Sequence, residues 1–205
     1  MHKRVKRFFV LALVGIALGG VWAAAEMKKT SPSIVTSETK VTKTANPLGG
    51  AFALTDHHGK SVTEAAWGDK HKLVFFGFTS CMHICPAALQ KISNVLDGLK
   101  PETLAKIQPL FITTDPERDD VAAMAEYVGA FHENIIGLTG TRAEIDAVID
   151  AYKVYAAKVK TREGYEIDHS GYVYLMGTDH HLMKIMRNED EEEEMVKILE
   201  EFLGK

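Results

Sequence analysis

Cysteine is nearly absent from this chain of 205 residues: there are two, Cys81 and Cys85. A single disulfide is the most they can form, and it would close a loop too short to restrict the unfolded chain as a long-range bridge does. Proline is sparse as well, with six residues, and none follows Pro116. Positive charge is scarce in the body of the chain. Lys3, Arg4, Lys6 and Arg7 stand at the N-terminus, leaving 20 basic residues against 28 acidic ones in the remainder. That balance excludes nucleic acid as a natural partner. The composition is neither that of a disordered chain nor that of a repeat array, and 46% hydrophobic content over this length supports one domain with a sizeable core.

Charge is missing altogether from residues 8–25, directly behind the basic cluster of residues 1–7. The stretch reads as a single transmembrane anchor. Ala23-Ala24-Ala25 also offers a cleavage pattern, so a removed signal sequence is the alternative. Either way Arg4 and Arg7 stay on the cytoplasmic side and the rest of the chain is exported. Residues 26–47, rich in Ser, Thr and Lys, read as a flexible linker, and the folded domain occupies residues 48–205.

What is present is concentrated around Leu73-Val74-Phe75-Phe76-Gly77-Phe78-Thr79-Ser80-Cys81-Met82-His83-Ile84-Cys85-Pro86. The apolar run predicts a buried strand, and a helical pattern opens at Ala87, so the two cysteines sit where a strand turns into a helix. Four residues apart, they can share one face of a first turn, grip one metal or close on each other. Unpaired N–H groups and the dipole at a helix start favour thiolates. A purely structural disulfide is the competing reading for an exported protein.

Along the rest of the body, residues 49–62 read as a hairpin turning at Asp56-His57-His58-Gly59, with His57 and His58 as solvated turn residues. Leu89, Ile92, Val95, Leu96 and Leu99 form the core stripe of the helix after the cysteines. Leu110-Phe111-Ile112 predicts a strand, and helical spacing runs from Val121 to Phe131. Between them, Asp115-Pro116-Glu117-Arg118-Asp119 falls on a strand-to-helix loop, of the kind that gathers around the ligand crevice in α/β sheets. Asp115 and Arg118 stand near the cysteines on this reading, or else form a cap and a surface ion pair. A strand over residues 134–138, a helix capped by Thr141 with Glu144 and a strand over residues 154–157 follow. A polar loop over residues 158–168 leads to Asp168-His169-Ser170, and a hairpin over residues 171–186 comes next. A last helix with Met195, Ile198, Leu199 and Phe202 on one face closes the chain, fed by six acids, residues 189–194, that complement its dipole. The alternation predicts an α/β protein with a mixed central sheet, helices on both faces and an N-terminal hairpin extension. The redox-type loop after the first long strand narrows this to a thioredoxin-like fold.

Over residues 48–202 the chain resembles the Sco/SenC copper chaperones of cytochrome c oxidase assembly. The resemblance rests on Phe76-Gly77-Phe78-Thr79 with Cys81, Cys85 and Pro86, on Asp115-Pro116-Glu117-Arg118-Asp119, on Gly137-Leu138-Thr139-Gly140 and on Asp168-His169-Ser170, in that order. It implies that Cys81, Cys85 and His169 bind one copper ion. It also implies a domain facing the periplasm from a bacterial cytoplasmic membrane. The acceptor implied is the copper-site subunit of cytochrome c oxidase, with other copper chaperones or thiol–disulfide oxidoreductases as further partners. Soft thiolates suit Cu(I), and an added imidazole lets the same site hold Cu(II). Structural zinc prefers four protein ligands. The chain departs from the family at Met82 and His83, where a proline and an aspartate are usual. His83 is then either an auxiliary ligand or a solvated side chain.

The alternative function is that of a thiol–disulfide oxidoreductase using Cys81 and Cys85 as its redox pair on the cysteines of a copper-site subunit or another exported protein. Two features weigh against it. Typical thioredoxins place a cis-proline before the strand facing the site, where this chain has His169, and they have two residues between their cysteines where this chain has three.

Overall fold

The computed structural model of the protein describes residues 48–162 and 164–204. The expected basic tail, apolar segment and linker lie outside these residues. Among the described residues, no helix is long and apolar enough to cross a membrane.

The architecture is α/β around a seven-stranded mixed sheet in the order β2-β1-β5-β4-β3-β8-β9. β1 (Ala53–Asp56) and β2 (Ser61–Thr63) form the expected N-terminal hairpin, and β1 adds antiparallel to β5 (Ile136–Thr139). β3 (His71–Gly77), β4 (Ile107–Thr113) and β5 are parallel neighbours. β8 (Tyr172–Met176) and β9 (Leu182–Arg187) extend the other side antiparallel. The helices are α1 (Ile84–Gly98), α2 (Val121–Val128), α3 (Arg142–Tyr152) and α4 (Glu192–Leu203), with isolated turns at Glu64–Trp67 and Pro101–Leu104.

The period of two along β3 decides which helix packs on which face. Leu73 and Phe75 point into a core shared with Leu89, Ile92 and Leu96 of α1, Met124 of α2 and Met195 and Leu199 of α4. Val74 and Phe76 point the other way, toward Ile145, Val148 and Tyr152 of α3. Helices on both faces and parallel central strands explain why β3 and β4 carry no polar alternation.

Four expectations away from the cysteine loop need correction. The polar stretch over residues 158–168 is a second, two-stranded sheet: β6 (Ala156–Thr161) pairs antiparallel with β7 (Gly164–His169). Both strands lie mostly in solvent, so no buried alternation marks them. The β4 strand begins at Ile107, three residues before the expected run, and includes Pro109. Pairing with β5 starts only at Leu110, so the missing N–H costs no bond on that side. α2 ends at Val128 instead of running to Phe131. In α4 it is Leu203 that is buried beside Met195 and Leu199, while Phe202 is exposed.

Candidate metal site

β3, the central strand, delivers the chain into the cysteine loop through Gly77. A Cβ at that position would lie 2.8 Å from Cys85 Sγ and 2.8 Å from the Phe111 ring, so only glycine lets the strand end and the helix start approach this closely. The chain then turns, with the Cys81 N–H donating to the Phe78 carbonyl at 3.3 Å. α1 starts at Ile84, three residues earlier than its apolar spacing suggests, and accommodates Pro86 in its first turn. His83 precedes it without a side-chain cap. A sulfur takes the capping role: the Cys85 N–H donates to Cys81 Sγ at 3.4 Å.

This geometry divides the two cysteines. Cys81 is half-buried and Cys85 fully buried. A hydrogen bond from the Cys85 side chain, aided by His169 and by the Cys85 and His83 N–H groups, pulls the Cys81 thiol down to about 3. The same bond, together with burial, pushes Cys85 above the usual thiol range. Cys81 is therefore the resting thiolate and Cys85 its buried thiol partner.

His169 arrives from the hairpin. It is the last residue of β7, opposite Ala156, and its Nε2 lies 3.3 Å from Cys85 Sγ. Its Nδ1 lies 3.1 Å from the Ser170 carbonyl. The tautomer that donates from Nδ1 to that oxygen leaves the Nε2 lone pair facing the sulfurs. Edge-on contacts with Phe75 and Phe78, at 6.3 Å and 5.7 Å between ring centroids, hold the imidazole plane. One ligand atom from each of Cys81, Cys85 and His169 lies within 4.8 Å of the other two. Two sulfurs and one imidazole nitrogen fit a soft or borderline transition metal, and Cu(I) and Cu(II) are both within the range of that donor set.

Cys81 and His169 line a cleft of about 470 Å³ between the cysteine loop and the hairpin, with Met82, His83 and Ile84 on one wall and Val159 and residues 166–168 on the other, and Cys85 lies buried behind them. His83 is exposed and stands outside the three-residue cluster, and Met82 is 80% exposed. A larger hollow of about 590 Å³ near Phe52 and Val148 offers Glu64 and Glu144 but neither sulfur nor imidazole, so it does not compete as a site for a soft metal. His57 and His58 also stand apart from the cluster, and His57 Nδ1 accepts the Gly137 N–H at 3.0 Å, closing the loop to β5.

The 115–119 loop lies beside the site. Asp115 accepts bonds from Arg118 Nε and, at 2.9 Å, from the Tyr165 hydroxyl on β7. Asp119 accepts from the Thr79 N–H and hydroxyl at 3.0 Å and 2.6 Å, and from the Thr113 hydroxyl at 2.5 Å. Burial pushes the Asp119 carboxyl up from its ordinary value, against the pull of these donors. Tyr165 carried no signal in the sequence, because it lies in a polar stretch with no visible partner.

A profile of the SCO1/SenC family matches residues 40–204. The chain belongs to the SCO1/SenC family. It is 42% identical over 176 residues to the mitochondrial SCO2 homologue of Bos taurus, a match covering 84% of this chain and 66% of that one. With mitochondrial SCO2 of Saccharomyces cerevisiae the identity is 40% over 158 residues, covering 75% and 52% of the two chains. This SCO1/SenC protein thus spans two thirds or less of the length of these relatives. Among solved structures, copper-bound ScoI of Arabidopsis thaliana superposes with a TM-score of 0.72 at 36% identity, covering 77% of this chain and 99% of that one. Copper-bound ScoI of Bradyrhizobium japonicum gives 0.70 at 40%, covering 76% and 99%. Copper is the metal in both of these homologous structures.

Proposed function

We propose that this SCO1/SenC protein is a copper metallochaperone that carries one copper ion on Cys81, Cys85 and His169 and passes it to the copper-site subunit of cytochrome c oxidase during assembly. The observation that carries the reading is the meeting of three donor atoms from two separate parts of the chain within 4.8 Å. Copper in the related structures supports it, as does the four-motif resemblance. On this reading residues 8–25 hold the protein in a bacterial cytoplasmic membrane, residues 26–47 space it from the surface, and the domain faces the periplasm. Cys81, the half-buried thiolate that lines the cleft, meets incoming copper first, and Cys85 and His169 complete its coordination. Transfer proceeds ligand by ligand to a docked acceptor. Oxidation to a Cys81–Cys85 disulfide removes both thiolates and with them the site.

The test is copper stoichiometry and affinity in the reduced protein, by competition with chelators specific for each oxidation state. One tightly bound ion is expected. Cys81→Ser weakens both oxidation states, whereas His169→Ala weakens Cu(II) roughly a hundred-fold and Cu(I) about tenfold or less, because two thiolates still satisfy the softer ion. Copper retained after complete oxidation, or equal losses in His169→Ala, would contradict this assignment.

A second reading is favoured by the asymmetry of the cysteines, a half-buried thiolate at the cleft beside a fully buried thiol. In a thiol–disulfide oxidoreductase, Cys81 Sγ attacks a substrate disulfide and displaces one substrate thiolate. Cys85, on losing its proton, then attacks Cys81 Sγ and displaces the other, so that two electrons pass from protein to substrate. Reduction of a copper-subunit disulfide by the metal-free protein at a rate indifferent to His169→Ala would establish this reading.

A further inference from the structure

Two bland roles are available to the charged 115–119 loop, helix capping and a surface ion pair, and neither accounts for its aspartates: Arg118 does pair with Asp115, but the guanidinium is 34% exposed while the carboxylate is buried. The cap of α2 is Asp120, whose Oδ1 accepts the Ala123 N–H at 2.8 Å. Asp115 and Asp119 take no part in it, and both are 0% exposed. Two carboxylates have been taken out of water within one turn, which is costly unless each is fully hydrogen-bonded. Their bonds run in two directions.

Asp119 faces the cysteine loop. Its three accepted bonds come from Thr79, two residues before Cys81, and from Thr113 at the end of β4. Asp115 faces the hairpin. Its Oδ1 takes the Tyr165 hydroxyl, and its Oδ2 holds Arg118, which donates from Nη1 to the Tyr165 carbonyl at 3.2 Å. The Arg118 guanidinium lies 4.1 Å over the Tyr165 ring of the hairpin and 5.8 Å from the ring centroid of Phe78 in the cysteine loop, so it stands between the two. Tyr165 is four residues before His169 on β7, an even spacing that places both on the same face of the strand. The turn itself is closed by the Arg118 and Asp119 N–H groups, which both donate to the Asp115 carbonyl, at 3.1 Å and 3.0 Å. The spacing of the two carboxylates is therefore fixed. β6 and β7 pair with no strand of the main sheet, so side-chain contacts of this kind set where the hairpin sits.

We propose that the 115–119 turn is a two-armed positioning element for the copper site, in which Asp119 sets the cysteine loop and Asp115, through Tyr165 and Arg118, sets His169. The proposal rests on the copper reading and assigns each arm a different consequence. Loosening the Asp119 arm disturbs the thiolates and so both oxidation states. Loosening the Asp115 arm disturbs only the imidazole and so Cu(II) alone.

The experiment uses the full chain with Tyr165→Phe, which deletes one hydroxyl and leaves the ring under Arg118, and Thr79→Val, which deletes the hydroxyl on the other arm. Affinities for Cu(II) and Cu(I) are measured by chelator competition and the Cu(II)–thiolate absorption is recorded. Amide exchange is followed in the metal-free protein. Tyr165→Phe is expected to weaken Cu(II) about tenfold, the lower end of the effect of losing a group that orients a metal ligand, with Cu(I) unchanged within about twofold. It shifts the Cu(II)–thiolate band and speeds exchange in β7 but not in β3. Thr79→Val is expected to weaken both ions by a similar factor. Wild-type Cu(II) affinity and spectrum in Tyr165→Phe, or equal weakening of both ions, overturns the proposal. If the wild-type chain takes up no copper, the copper reading fails by itself. The exchange measurement then decides the brace: unchanged β7 protection in Tyr165→Phe overturns it.

Discussion

The cysteine loop and the β6–β7 hairpin each supply part of one site, yet they are built by opposite rules. The loop grows from β3, which pairs with β4 on one side and β8 on the other, and whose residues from Leu73 to Phe76 are fully buried. The hairpin pairs only with itself; Ile167 is its one fully buried side chain in the main core, with Ala156 and Tyr165 packed partly buried against that core. The two thiols are thus held by a loop rooted in the central strand, while the imidazole is carried by a hairpin joined to the core through side chains and not through the sheet ladder. On the chaperone reading proposed above, that division lets one ligand leave while two stay in place.

The comparison can be sharpened most by native-state amide exchange. Openings of exposed elements cost little, whereas core strands exchange near the global unfolding limit. Amides of β3 and β4 are therefore expected to be protected about a thousand-fold or more beyond those of β6 and β7. Comparable protection in the two regions would mean that the hairpin is as firmly fixed as the sheet and that the division of labour is wrong.

The same contrast explains what the sequence made legible. Leu73-Val74-Phe75-Phe76 is apolar on both faces because β3 is covered on both faces, so the run announces a central strand and the breakers after it announce a turn. The hairpin offers no such signal: from Lys158 to Thr161 every side chain is exposed, and charged and apolar residues follow the demands of solubility and of the site. His169 was therefore recognisable from the Asp168-His169-Ser170 motif and its resemblance to a family, not from any period. The start of α1 was misplaced for a related reason. Ile84 is exposed, and the capping group is the sulfur of Cys81, which sequence patterns of capping oxygens do not anticipate. The capping box of Thr141 and Glu144, by contrast, relies on ordinary side-chain oxygens and forms as expected. Asp115 and Arg118 fell between these cases. Their charge was visible, but a loop's long-range partners, Tyr165 above all, become visible only in three dimensions.

The rigid half can be broken at its tightest point. Gly77→Ala places a methyl group 2.8 Å from both Cys85 Sγ and the Phe111 ring, and neither can withdraw freely because both are buried. Overpacking of this kind costs about 1–3 kcal/mol. The expected outcome is a loss of that size in denaturant unfolding, with weaker binding of both copper oxidation states, because the displaced group is a thiol and not the imidazole. A variant with full stability and unaltered Cu(I) affinity would show that the loop yields as easily as the hairpin.

The smallest effect is expected where the hairpin meets the turn through solvent. Glu117 bonds Arg142 and receives Lys158 of β6 at 3.3 Å from Oε1, and the neighbouring guanidinium holds its carboxyl down at about 2. A carboxyl lowered on folding contributes stability that is fully present at neutral pH and is lost as the pH falls toward 2. Glu117 and Lys158 are each close to half exposed, however, so water and salt screen the pair, and such contacts are worth about 0.2–1 kcal/mol. Glu117→Gln should therefore lower stability by less than about 1 kcal/mol, less still in added salt, and leave both copper affinities within about twofold of wild type. The contrast with Tyr165→Phe is the point of the measurement. Both changes act on the contact between turn and hairpin, but one removes a partner of a buried carboxylate and the other a charge at the rim. A Glu117→Gln variant that loses Cu(II) as strongly as Tyr165→Phe would place control of His169 in the exposed ion pairs instead of the buried hydroxyl.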